Sequence, residues 1–110
     1  MSASGEVPYV YVWRYEVPSE SRVEFERVYG AAGDWVELFR RGSGYLATRL
    51  LADVGGEGRY LTIDEWDSRE AFEHFRSEYH DAFDALDERC THLTSREEQI
   101  GHFRALDEAP

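Results

Sequence analysis

Lysine is absent from this chain, whose twelve cationic side chains are all arginine. That absence excludes Schiff-base catalysis by a lysine amine and the phosphate-binding lysine of a nucleotide loop. Cysteine is nearly as scarce: Cys90 stands alone, so no intrachain disulfide can form, and no Cys-x-x-Cys or Cys/His array has zinc-ligand spacing. Structural zinc, iron–sulfur ligation and dithiol redox work are excluded with it. No apolar run is long enough to span a bilayer, and Met1 to Val7 carries neither the basic nor the apolar stretch of a signal peptide. The expected location is the cytoplasm, with no membrane partner. The three prolines, at 8, 18 and 110, flank elements or close the chain, and no repeat or low-complexity linker interrupts it.

What is present fits one compact domain over 1–110, with an ordered core of about 7–106 and mobile tails before Val7 and after Leu106. Apolar residues make up 42% of the 110, and a chain of this size buries roughly 65% of its unfolded surface without staples. Asp and Glu number 23, giving a formal charge of −11 that would repel a phosphate backbone. Nucleic acid is not an expected partner.

Residues 9–17, Tyr-Val-Tyr-Val-Trp-Arg-Tyr-Glu-Val, alternate with period two and stop at Pro18, which predicts a first strand. Ser21 with Glu24 reads as a capping box, and Phe25, Val28, Tyr29, Ala32, Trp35, Val36 and Phe39 keep helical spacing. Gly30 and Gly33 interrupt that helix, Asp34 with Glu37 can cap a restart, and Gly42 ends it. Tyr45 to Asp53 and Arg59 to Trp66 predict two paired antiparallel strands around a glycine-rich hairpin loop. Ser68 then caps a long helix whose stripe runs Ala71, Phe72, Phe75, Tyr79, Ala82, Phe83, Leu86 and Cys90. Arg96 to Arg104 alternates weakly and predicts an exposed or partner-dependent last strand, paired within its own subunit or across a dimer.

The order β-α-β-β-α-β predicts a ferredoxin-like α+β protomer, an antiparallel sheet with helices on one face. Val10, Val12, Leu46, Leu50, Leu61 and Ile63 share one strand parity, and Tyr9, Tyr11, Trp13, Tyr15, Tyr45, Tyr60 and Trp66 the other. Both faces are therefore apolar, where a sheet covered once shows a polar solvent face. A second copy of the chain is the simplest cover, so a homodimer is expected.

The opening Tyr-Val-Tyr-Val-Trp, the passage Phe39-Arg40-Arg41-Gly42-Ser43-Gly44-Tyr45-Leu46, and Thr62-Ile63-Asp64-Glu65-Trp66-Asp67-Ser68-Arg69-Glu70-Ala71-Phe72 carry a resemblance. Over nearly its whole length the chain resembles the antibiotic biosynthesis monooxygenase family of dimeric α+β-barrel proteins, and the last segment is similar to that family's acid-x-Trp-x-Ser-x-Glu-Ala signature. The family's branches differ in their active residues. The haem-degrading branch needs an Asn where Trp13 stands, and a Trp and a His near Phe75 and Ala85. In the cofactor-free anthrone oxygenases, which share Trp66, Thr62 replaces an Asn and Phe72 a Tyr, with Arg89 an approximate counterpart of their helical Arg. Of the quinol-oxygenase pattern His-x-x-Ser/Thr-x-His only His80 remains.

The resemblance implies a cofactor-independent monooxygenase acting with O2 on a small aromatic substrate, a polycyclic phenol, quinol or anthrone. Such chemistry needs an apolar cavity, a base and donors for the developing anion. Trp66 and His80 are the expected catalytic residues, as indole donor and imidazole base. Tyr11, Trp13, Thr62, Phe72, Phe75 and Tyr79 are expected to bind the substrate, and Arg49, with Arg59 on the paired strand, to hold an anionic group on it. Neither cofactor nor metal is expected, although Asp84 follows His80 at i+4 on one helix face. The aromatics equally suit an ordinary core, His80 an exposed surface, and Cys90 a small buried apolar residue. A cofactor-free cyclase or isomerase, and a non-catalytic binding or stress-related dimer, stand as alternatives.

Overall fold

A computed structural model describes residues 7–107. Of the tails expected to be mobile, before Val7 and after Leu106, all residues but Asp107 lie outside the described residues.

The strand β1 (Tyr9–Glu16) ends at Pro18, and a 3₁₀ turn (Ser19–Ser21) leads into the helix α1 (Arg22–Tyr29). After the break at Gly30 come α2 (Asp34–Phe39), β2 (Tyr45–Ala52) and β3 (Arg59–Trp66). The helices α3 (Arg69–Glu78) and α4 (His80–Cys90) follow, then β4 (Arg96–Arg104). The sheet order is β2-β3-β1-β4, with every neighbouring pair antiparallel. This is the expected ferredoxin-like arrangement, and β4 pairs with β1 of its own chain. No helix among the described residues is long and apolar enough to cross a membrane.

Local chemistry accounts for most boundaries. Ser68 caps α3 by accepting the Ala71 N–H at 3.0 Å, as its position before an apolar stripe requires. Ser21 makes no such bond, because Glu24 turns outward to Arg27 (2.6 Å) and leaves the capping box unformed. Asp34 likewise caps nothing and accepts from Arg27. The single long helix expected after Ser68 is kinked at Tyr79 (φ −111°, ψ 27°). Its hydrogen-bond ladder runs through the kink, from Tyr79 N to Phe75 O and from Phe83 N to Tyr79 O, both 2.9 Å. No glycine or proline marks that point in the sequence.

The two edge strands each carry a bulge. Along β4 the register with β1 shifts between Val12 and Trp13, leaving Ile100 unpaired. Along β2 the register with β3 shifts after Tyr45, leaving Leu46 unpaired. Strict alternation predicted Leu50 on the face away from the helices. The bulge instead sets Leu50 opposite Thr62, against the core, and turns Arg49 outward opposite Ile63.

The core lies between the sheet and the helices and is mostly aromatic. Phe25 stacks on Tyr29 with ring centroids 4.2 Å apart, while Trp66 packs against Phe39, Phe72 and Phe75. Phe25 and Trp66 are both 0% exposed. The opposite sheet face has no cover within the chain, and Leu46, Ile100 and Phe103 there are 50%, 49% and 51% exposed.

Gly42 is where the chain turns over Trp66. A Cβ there would stand 2.8 Å from Phe75 Cδ1 and 2.9 Å from Trp66 Cζ3, and neither buried ring has room to withdraw. Gly42→Ala is therefore expected to destabilise the fold by about 1–3 kcal/mol, measured as a lower urea midpoint with unchanged slope.

Candidate active site

A cavity of about 410 Å3 opens between the helix-side face of the sheet and the helices α2, α3 and α4. Alternation along β1 points Tyr9, Tyr11, Trp13 and Tyr15 into it, and β3 adds Thr62 and Asp64. Trp35, Phe39, Phe72 and Phe83 close the helical side. A depression of about 620 Å3 at the end of the open sheet face has Arg14, Glu16, Asp53 and Arg59 in its lining, and no buried ionisable carboxyl. The chemistry is concentrated in the first.

Asp64 is its most unusual group. The carboxyl is only 5% exposed, and among the described residues its one side-chain partner is Thr48, whose hydroxyl donates to Oδ1 at 2.5 Å. Thr48 in turn accepts from the Tyr45 hydroxyl at 2.8 Å. Burial without a cation disfavours the carboxylate and pushes its pKa up to about 7, against the opposing pull of the Thr48 hydrogen bond. The site thus holds an acid–base group poised near neutrality. Burial, followed by the charge of Asp64, holds the Tyr11 phenol neutral well above its ordinary range. Tyr15 is raised for the same leading cause, and its hydroxyl shares a 3.1 Å hydrogen bond with Thr62 Oγ1.

Of the residues expected at the site, Tyr11, Trp13, Thr62 and Phe72 line this cavity. Trp66 lies behind the wall and donates its indole N–H to Tyr11 Oη at 3.2 Å, so it acts on the cavity through that phenol. Phe75 is core, packed on Trp66, and Tyr79 packs on Phe75 outside the lining. Two more of the expected residues, Arg49 and His80, lie away from the cavity. Arg49 projects from the opposite sheet face, for the register reason given above. His80 sits exposed at the start of α4 with Nε2 3.1 Å from Asp81 Oδ1, on the solvent side of the apolar stripe, where regular helical spacing already sets it.

The sequence reading gave no role to several groups that do meet in the cavity. His102 lines it and shares a 2.9 Å hydrogen bond between Nδ1 and the Tyr9 hydroxyl. Trp35 Nε1, in the helical wall, is the one buried side-chain polar atom without a partner among the described residues. Asp64 had a usable signal: a carboxylate on the same strand parity as Tyr60, Thr62 and Trp66 is bound for the buried face. Among the described residues no group of three or more His, Cys, Asp or Glu could hold a metal ion.

The raised pKa fixes the sign of a pH effect. An unfolded Asp ionises near pH 4, whereas folded Asp64 stays protonated up to about 7, so its stabilising share is full at low pH. That share is lost as pH rises through 7. Asp64→Asn should therefore gain on the order of 2 kcal/mol over wild type at pH 8 and little at pH 4, read from urea unfolding at both values. Thr48→Val should move the Asp64 carboxyl carbon titration above its wild-type midpoint in NMR.

Comparison with known proteins places this geometry. The family model described as antibiotic biosynthesis monooxygenase matches residues 8–89. A curated haem oxygenase (mycobilin-producing) of Mycobacterium tuberculosis is 34% identical over 67 residues, 61% of this chain and 61% of that protein. The aligned region thus spans under two thirds of the relative. SnoaB, a cofactor-independent oxygenase from Streptomyces nogalater, superposes with a TM-score of 0.64 at 23% identity, covering 94% of this chain and 98% of its own. A putative antibiotic biosynthesis monooxygenase from Nitrosomonas europaea gives 0.70 at 11% identity, over 94% and 95%. At these identities the superpositions speak for the fold, and the match over residues 8–89 speaks for the family. The chain belongs to the antibiotic biosynthesis monooxygenase family.

Proposed function

We propose that the protein is a cofactor-independent monooxygenase for a polycyclic phenol, quinol or anthrone bound in the aromatic cavity. The observation that carries this reading is the buried Asp64 carboxyl, with a pKa of about 7, in a cavity walled by flat rings. Flat walls suit a planar substrate, and each Tyr and Trp adds a donor at a ring edge.

For an anthrone the steps balance without a metal or flavin. Ionised Asp64 takes the acidic ring proton and leaves an electron-rich carbanion–enolate. That anion passes one electron to O2, and the resulting radical and superoxide recombine to a peroxide at the same carbon. Protonated Asp64 returns the proton to the peroxide. Loss of water, with the second C–H proton and the O–O bond broken, gives the quinone; one O2 has replaced two hydrogens by one oxygen and formed one water. Tyr11, oriented by Trp66, and the free Trp35 N–H supply donors for the anionic oxygens.

Haem cleavage fits this cavity less well. His80 does not reach it, and the one His in its lining, His102, is engaged by Tyr9. The cyclase or isomerase alternative would use the same base and donors but consume no oxygen.

The test is oxygen uptake by the purified protein with dithranol, a hydroxylated anthrone, against no-enzyme controls, with the product mass recorded. Uptake above autoxidation, yielding the anthraquinone, is expected. Asp64→Asn should lower kcat/KM about 100-fold or more and Trp66→Phe about tenfold, with His80→Ala unchanged. Isomerised product without uptake would move the reading to the alternative, and no turnover to a binding protein.

We further propose that two copies pair through the open sheet face, where Leu46, Ile100 and Phe103 lie exposed beside the half-buried Val10, Val12, Leu61 and Ile63. Light scattering should give a dimer mass, and Ile100→Glu with Phe103→Glu a monomer.

A further inference from the structure

The lining of the cavity is charged in one sense. Besides Asp64 at its floor, Asp87 from α4 and Glu97 from β4 stand in the lining, against a single guanidinium, that of Arg76. Arg76 is already engaged: its guanidinium carbon lies 3.8 Å from the Phe83 ring centroid and Nη1 3.8 Å from Asp84 Oδ1. Glu97 accepts from the Thr94 hydroxyl at 3.2 Å, and no ion pair of Asp87 is found among the described residues. Arg49, the expected anchor for an anion, projects from the other face of the sheet.

All three carboxylates act on one buried atom. Asp64, Glu97 and Asp87 each push the ionisation of the Tyr15 phenol upward, beyond the effect of burial. The negative potential therefore reaches into the aromatic interior. An aromatic wall beside carboxylates is a setting that attracts cations through the ring quadrupole as well as the charge, and the wall already holds one cation in this way, at Arg76 and Phe83.

We infer that the substrate is a planar aromatic carrying a protonated amine, its rings in the cavity and its ammonium group at the mouth between Asp87 and Glu97. This deepens the oxygenase reading by naming the charge of the substrate, and it rests on the aromatic cavity being the binding site. Anionic ring systems are rejected by the same carboxylates.

The test uses three anthracene probes that differ only in one substituent, aminomethyl, hydroxymethyl or carboxylate, with affinity read from fluorescence anisotropy. At low salt the aminomethyl probe should bind about tenfold more tightly than the hydroxymethyl one, and the carboxylate more weakly than both. Added salt should shrink the difference. In the double variant Asp87→Asn, Glu97→Gln the three affinities should converge, with the hydroxymethyl value unmoved. The matched variant Asp81→Asn, Glu88→Gln removes two exposed charges of α4 outside the cavity and should keep the preference, which separates a local site from the overall charge of −11. Equal binding of the aminomethyl and hydroxymethyl probes overturns the charge inference alone. Failure of all three to bind overturns the cavity reading with it. A preference that survives Asp87→Asn, Glu97→Gln but is lost in Asp81→Asn, Glu88→Gln also overturns it.

Discussion

The hydrogen bond from the Trp66 indole to the Tyr11 hydroxyl is the contact on which the site depends. Trp66 is wholly buried at the end of a central strand, touching Phe39 of α2 and Phe72 and Phe75 of α3, with Gly42 against its ring edge. A buried indole N–H without a partner costs about 1–3 kcal/mol, so the phenol of the neighbouring strand must stand where it does. The bond thus connects the layer that builds the fold to the layer that faces the cavity. Loss of the indole would free Tyr11 and loosen the packing of both helices at once.

The electrostatics follow from the same shell of rings. The rings around Asp64 exclude water and bring no cation to it, so the buried carboxyl has nothing to keep it ionised. Thr48 supplies the single hydrogen bond that opposes this, and its own hydroxyl is satisfied by Tyr45. Asp64 is consequently held near the midpoint of its ionisation at neutral pH, the condition under which a carboxyl both takes and returns a proton. A well-paired Asp would be more stable and a poorer base. The destabilisation that the raised pKa brings above pH 7 is offset by the burial of the surrounding aromatics.

Much of this was legible in the sequence. Period-two alternation in β1 and β3, the glycine-rich hairpin and the Ser68 cap carry enough local information to give the element order, and the order gives the topology. Tyr11, Trp13, Thr62 and Phe72 could be placed in the cavity because β1 and β3 pair in regular register and α3 keeps its stripe. His80 lies exposed, as the surface reading of its place off the apolar stripe allowed, so its distance from the cavity follows from helical spacing. Asp64 was visible as part of a signature, yet its ionisation is set by what surrounds it in space: Thr48 on the next strand and rings from β1 and the helices. Such a property is tertiary and has no local code.

The two edge bulges decide which side chains face the cavity. Continued alternation from Tyr45 would have set Ala47 opposite Asp64 and Arg49 opposite Thr62, inside the cavity. One unpaired residue at Leu46 brings Thr48 to the cavity and Leu50 to the core instead, exchanging a cation that would hold Asp64 ionised for a hydroxyl that does so only weakly. On the other edge, alternation from His102 would have aimed Ile100 and Glu98 inward. The bulge at Ile100 aims Gln99 and Glu97 there and sends Ile100 to the uncovered face. Each bulge therefore exchanges the parity of its edge strand that faces the cavity, and with it the polar side chain presented there. A sheet of identical composition without them would have an arginine beside its buried acid, and that acid would have lost the pKa suited to a base.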